Sequence, residues 1–250
     1  MMDLMDLLKE SYGKKIIVGG HQGHKSNIRE NTISNFSQLE GKKIPYIEID
    51  VQLTRDSCAV IYHDVDLSLQ TELTGMIRDY TLGELKERFD ICTLDEAAAW
   101  CKEKQIGIAL EIKLQPYAMW DDRKPLVKAI VEVIQKYDFH RMCYVFGKDY
   151  EMLNWIKRED SRINIGLIAP FVPKKPVALM NDMQAIIYLN FLDQLSRELV
   201  EQLHKEGFLV GGSVVNTEET LKIAVELGVD LIESDDPERI LGLLEEWYAG

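Results

Sequence analysis

In the run Tyr46–Leu53, the residues Ile47, Ile49, Val51 and Leu53 alternate with Tyr46, Glu48, Asp50 and Gln52. Successive side chains of a strand point to opposite faces, so the apolar set takes one face and both carboxylates the other. Once helices cover the apolar face, Glu48 and Asp50 lie inside, where like charges repel and lose their hydration. A divalent cation removes both costs. The run Ile108–Ile112 repeats the pattern: Glu111 and Lys113 stand opposite Ile108, Leu110 and Ile112. Three inward carboxylates from two strands make an all-oxygen ligand set, suited to Mg2+ or Ca2+ rather than Zn2+. The competing reading of the same residues is a Glu111–Lys113 ion pair, with Glu48 and Asp50 facing solvent.

Two histidines share the setting. His21 follows a run ending Val18-Gly19-Gly20, and His63 ends the run Ala59–Tyr62, with Asp64 after it. At strand C-termini, a pair of histidines could take a proton from a nucleophile and give one to a leaving alkoxide. His24, His140 and His204 have no such surroundings. Gly19 to Ser26 is one residue short of a phosphate-cradling G-x-x-x-x-G-K-[ST] loop, because His24 stands where the second glycine is needed. A nucleotide loop is rejected on that ground.

The elements that must hold these residues alternate in type. Candidate strands are 15–20, 46–53, 106–113, 142–146, 163–168, 185–189, 208–215 and 230–233. Between them lie helical patterns. Thr93-Leu94-Asp95-Glu96 is a capping box opening a helix to about Lys104. Leu126, Val127, Ile130, Val131 and Ile134 mark the next helix. Later helices are expected at 150–158, 194–205 and 217–227, the last capped by Asn216. Eight strands with intervening helices predict a parallel α/β fold: a closed (β/α)8 TIM barrel, or an open doubly wound sheet as the structural alternative. The polar stretch 64–91 is too long for a simple loop and reads as an insertion over the barrel mouth, within one domain spanning 1–250.

Composition bounds the partners. The net charge of −13 lacks the basic footprint of a nucleic-acid binder, so a phosphate ester needs local positive charge from a metal, Lys or Arg. Cys58, Cys92, Cys101 and Cys143 form no metal-like spacing and read as reduced thiols in a cytoplasmic protein. The acidic first residues lack a signal peptide's basic region, and no apolar run reaches membrane-spanning length.

In order along the chain stand His21-Gln22-Gly23, Glu30-Asn31-Thr32, Glu48-Ile49-Asp50-Val51 and His63-Asp64. Then follow Thr93-Leu94-Asp95-Glu96, Glu111-Ile112-Lys113, Val215-Asn216 and Gly228-Val229-Asp230 through Asp236-Pro237. No one of these motifs is strong, but the ordered set, over about residues 16 to 240, resembles the glycerophosphodiester phosphodiesterase family. The resemblance implies a (β/α)8 barrel with a small insertion after the second strand. It implies Glu48, Asp50 and Glu111 as ligands of Mg2+ or Ca2+, His21 and His63 as acid and base, and Glu30 and Lys113 near the substrate. The chemistry it implies is attack on phosphorus by a hydroxyl of a small-molecule phosphodiester, through a cyclic phosphate, giving a glycerol phosphate and an alcohol. Such an enzyme is a hydrolase of lipid metabolism.

Two departures bear on the substrate. Where the family has arginine after its first histidine stands Gln22, which cannot supply a charged bidentate grip on phosphate. Arg29, where the family has proline, is a candidate replacement. The family tryptophan falls on Ser213 and its threonine on Val214, so an aromatic wall of the pocket is absent. Two other readings remain: a barrel that binds a metal and a phosphorylated ligand without turnover, and an isomerase or aldolase working through Lys113. The last needs no metal and leaves Glu48 and Asp50 unexplained.

Overall fold

The computed structural model describes residues 3–24, 26–113 and 116–249. Nine strands form one sheet: β1 (Ile17–Gly20), β2 (Tyr46–Leu53), β3 (Ala59–Ile61), β4 (Gly107–Ile112) and β5 (Cys143–Gly147) are followed by four more. These are β6 (Asn164–Ile168), β7 (Ile187–Phe191), β8 (Leu209–Ser213) and β9 (Leu231–Ser234). Eight of them run parallel in the order β1-β9-β8-β7-β6-β5-β4-β2, and β1 returns to β2 through Gly20↔Ile47. That pairing closes a (β/α)8 barrel and excludes the open sheet. β3 lies outside the ring, antiparallel to β2.

The helices form where the apolar periodicity and caps require. In Arg123–Tyr137 the buried stripe includes Leu126, Val127, Ile130, Val131 and Ile134. Thr93 and Glu96 form the capping box of Leu94–Lys104. The helix Glu218–Leu227 corrects one expectation: its cap is Thr217, whose side chain accepts from the Thr220 N–H. Asn216 is engaged in the site instead. The chain's first helix, Leu4–Ser11, has no counterpart in the sequence reading; it is capped by Asp3 and buries Leu4, Met5 and Leu8.

The core has two layers. Ile47, Ile49, Val51, Ile108, Leu110 and Ile112 face outward into one apolar layer with the helices. Ile17, Tyr46, Ala109, Tyr144, Leu209 and Leu231 fill the barrel interior, and the first helix joins them from below. Above this plug the inward positions turn polar, which is where the carboxylates sit.

Residues 64–91 contain two short 3-10 turns, Leu67–Leu69 and Ile77–Asp79, and the helix Leu82–Lys86. Leu67, Ile77, Leu85 and Ile91 make a small core of their own against Val60 of β3 and Tyr62. The segment flanks the mouth cavity without lining it.

Gly19 shows how tight the plug is. A Cβ there would lie 2.2 Å from the Tyr46 ring, whose hydroxyl donates to the Ile232 carbonyl at 2.9 Å. Gly19→Ala is therefore expected to destabilise the fold by about 1–3 kcal/mol through overpacking. Urea unfolding checks this; unchanged stability would show that the ring has room to move.

Candidate active site

Three inward positions on β2 and β4 bring the carboxylates together. Glu48, Asp50 and Glu111 offer one oxygen each, all within 4.8 Å of one another. Glu48 is 1% exposed and Asp50 is 0% exposed, so the solvent-facing reading fails. The expected ion pair is present but wider: Lys113 Nζ lies 3.0 Å from Glu111 Oε2 and 2.7 Å from Asp50 Oδ1. Burial works against the lysine's charge, but Asp50, Glu111 and Glu48 outweigh it and raise its pKa. A Schiff-base lysine needs the opposite shift, which removes the support for an aldolase-like role.

The cluster fits a divalent cation. Burial, then the charges of Asp50, Glu233 and Glu111, push the Glu48 carboxyl well above its usual range, with Lys113 opposing. Glu48 Oε1 is buried with no hydrogen-bond partner. A buried anionic oxygen in that state is costly unless a cation or donor meets it. The other oxygens are oriented by backbone and amide donors: the Gln22 N–H donates to Glu48 Oε2 at 3.1 Å, and Asn31 Nδ2 to Asp50 Oδ2 at 3.0 Å. Gln22 and Asn31 both hold positive φ, 54° and 57°, and the Asn31 N–H donates to the Gln22 carbonyl at 2.9 Å. The loop after β1 is thus folded to aim two donors at two carboxylates.

Each histidine has an acidic partner. His21 Nδ1 is 2.8 Å from Asp235 Oδ1, and its Nε2 is 4.0 Å from Glu48 Oε2. Burial alone would lower the His21 pKa; the Asp235 hydrogen bond and the charges of Glu233, Asp235 and Asp50 raise it. Asp235 is itself fixed, since Asn216 Nδ2 donates to its Oδ2 at 2.7 Å. His63 Nδ1 is 2.8 Å from Asp64 Oδ1. Gln52, fully buried on β2, donates from Nε2 to the Tyr62 and Asp64 carbonyls at 2.9 and 2.8 Å, holding the histidine's backbone.

Both histidines, Glu48, Glu111, Lys113 and Glu233 line one cavity of about 190 Å³. The rest of the lining is mixed, with Phe146, Ile168, Leu189, Phe191 and Val214 beside Lys148, Asn190 and Ser213, so aromatic rings remain although the family tryptophan is replaced. Three sequence candidates lie elsewhere. Gln22 is 5% exposed and does not line the cavity. Glu30 Oε1 accepts from Gln70 Nε2 at 2.9 Å, beside residues 64–91. Arg29 does not replace the missing arginine: its guanidinium lies 4.4 Å over the Phe89 ring and 5.1 Å over Tyr62. Asp235 and Gln52 were given no site role in the sequence reading and Asn216 only that of a helix cap; inward alternation along β2 was a signal for Gln52, and no local signal marked the other two. Glu233 went unassigned as well, on the inward face of β9 between Ile232 and Ser234.

Comparison with known proteins agrees with this geometry. A 29% identical glycerophosphodiester phosphodiesterase of Caldanaerobacter subterraneus subsp. tengcongensis aligns over 93% of this chain and 99% of its own. One from Bacillus altitudinis is 26% identical over 90% of this chain and 97% of its own. Among solved structures, an Oleispira antarctica phosphodiesterase in complex with the product sn-glycerol-3-phosphate superposes with a TM-score of 0.83. It is 23% identical and covers 94% of this chain and 99% of its own, so the likeness is one of fold. Residues 21–239 match the Glycerophosphoryl diester phosphodiesterase family as a whole. The chain belongs to that family and is an enzyme of the phosphoric diester hydrolase class.

Proposed function

We propose that this protein hydrolyses a glycerophosphodiester to a glycerol phosphate and an alcohol, in a metal-dependent reaction with His21 and His63 as acid and base. The observation that carries the reading is one cavity lined by two carboxylate-paired histidines and by Glu48 and Glu111 of the three-carboxylate cluster. Glu48, Asp50 and Glu111 would hold Mg2+ or Ca2+. When bound, such an ion neutralises phosphoryl oxygens and orients the glycerol hydroxyl. One histidine takes the proton of that hydroxyl as its oxygen bonds to phosphorus. The other protonates the leaving oxygen as the second P–O bond breaks. Water then opens the cyclic phosphate with the histidine roles reversed. Asp235 and Asp64 hold the rings in one tautomer each, and Lys113 adds positive charge beside the phosphate. The reading treats residues 1–250 as one barrel domain with an insertion at 64–91. It also infers a cytoplasmic setting, supported by four cysteines that form no disulfide. Among the described residues no helix is long and apolar enough to cross a membrane.

A panel of glycerophosphodiesters, scored for released glycerol phosphate with and without chelator, tests the proposal. Release that is lost in chelator supports it, and release from none of them with metal present would overturn it. Gln22→Arg is expected to raise kcat/KM on a simple glycerophosphodiester if its longer side chain reaches from this buried position into the cavity, where a guanidinium stabilises a transferring phosphoryl group by up to a few kcal/mol. Unchanged or lower kinetics in a well-folded variant would show a pocket built around another grip on the phosphate.

A further inference from the structure

Glu233 is a buried carboxylate that the reaction described above does not use. Its neighbours on β9, Leu231 and Ile232, belong to the barrel interior and the outer layer respectively. Alternation therefore turns Glu233 inward, above Leu231, where it lines the cavity at 4% exposure. Ser213 Oγ donates to its Oε2 at 2.8 Å. Its Oε1 is buried and has no partner. Of the cationic neighbours, Lys113 is held by Asp50 and Glu111, Lys148 lines the same cavity 6.0 Å over the Phe191 ring, and the charge of His21 acts on Glu233 without a hydrogen bond to it. Among the described residues, Glu233 does not join the carboxylate oxygens that cluster within 4.8 Å. It is a second acidic point in the same cavity, apart from the cation cluster.

We propose that Glu233, fixed by Ser213, is a head-group subsite that receives a primary ammonium on the leaving alcohol of the diester. The inference rests on the phosphodiesterase reading and names its substrate class. A buried carboxylate oxygen without a hydrogen-bond partner gains most from a charged N–H donor, which both pairs the charge and fills the hydrogen bond. A quaternary ammonium carries no N–H and leaves Oε1 unsatisfied. A hydroxyl supplies the hydrogen bond without the charge. Ser213, standing where the family has tryptophan, leaves Glu233 room and supplies its one hydrogen bond, while Phe146 and Phe191 remain in the cavity lining.

Binding tests this apart from turnover. The His63→Ala protein, with Ca2+ present, is titrated calorimetrically with glycerophosphoethanolamine, glycerophosphoglycerol and glycerophosphocholine. The ethanolamine diester is expected to bind at least about tenfold more tightly than the choline diester, with the glycerol diester between them. Adding Glu233→Gln, which keeps the shape, should bring the ethanolamine and choline affinities within about threefold of each other. Ser213→Ala should weaken ethanolamine binding in the same direction and serves if the glutamine variant does not fold. Equal binding of the two diesters, or a preference that survives both substitutions, overturns the subsite. Equal kcat/KM values for them in the parent enzyme overturn the subsite and leave the phosphodiesterase reading standing. Selective binding with no turnover of any diester does the reverse.

Discussion

His21→Ala and His63→Ala are each expected to lower turnover at least about a hundredfold, the lower end for losing a general acid or base. Both rings line the cavity, and each is held through Nδ1 by a carboxylate at 2.8 Å, which leaves Nε2 free for proton transfer. Because the two act in one step, the double variant should lose far less than the product of the single losses. A nitrophenyl leaving group needs little protonation, so the variant lacking the acid should be selectively rescued on that substrate. The rescue thereby assigns the roles. Thermal melts must accompany the kinetics, since His21 also joins β1 to β9 through Asp235. Two folded variants that turn over like the parent would refute the acid–base assignment.

Removal of the metal is expected to abolish activity, and Mg2+ or Ca2+ to restore it. Full turnover in excess chelator, in protein shown to be metal-free, would refute the metal role. Stability offers a readout independent of catalysis. An ion present at a hundred times its dissociation constant stabilises the native state by about 2.7 kcal/mol. In a chain of this length that amounts to roughly 5–10 °C in Tm. Glu48→Gln or Asp50→Asn should erase the rise. Asn31→Ala, which removes the donor to Asp50 Oδ2, should cost about 10–100-fold in metal affinity, as loss of a ligand's orienting partner does. A melt insensitive to both ions would show that Lys113 alone balances the cluster.

The alternating strands and helices and the carboxylate cluster were legible in sequence because both rest on local periodicity, while closure into a barrel came with the family resemblance. Alternation along 46–53 and 108–112 sorted Glu48, Asp50 and Glu111 to the inner face, and motif order supplied the rest. Long-range partners were not legible. Asp235 meets His21 across 214 residues, and Glu233 is recognisable only once the inner layer of β9 is known. Asn216 looked like a helix cap because asparagine before a helical run usually is one; Thr217 took the cap, and the asparagine turned to Asp235. Arg29 looked like a phosphate ligand on charge alone, while its guanidinium found two aromatic rings beside the insertion. The first helix was overlooked because it covers the barrel floor, and a floor has no signature until the barrel is drawn.

Closure between β1 and β9 also sets an order of events in the cell. Ile17–Gly20 pairs with Leu231–Ser234, and the Ile16 N–H donates to the Tyr248 hydroxyl at 3.1 Å. A chain made from its N-terminus presents β1 well before β9, so that edge stays unpaired until β9 has been made. Contacts of such sequence separation form slowly and leave apolar edges exposed meanwhile. The same seam carries His21 and its partner Asp235, so a chain cut short of β9 would keep both histidines and the Glu48–Asp50–Glu111 cluster but lack the carboxylate that holds the His21 ring.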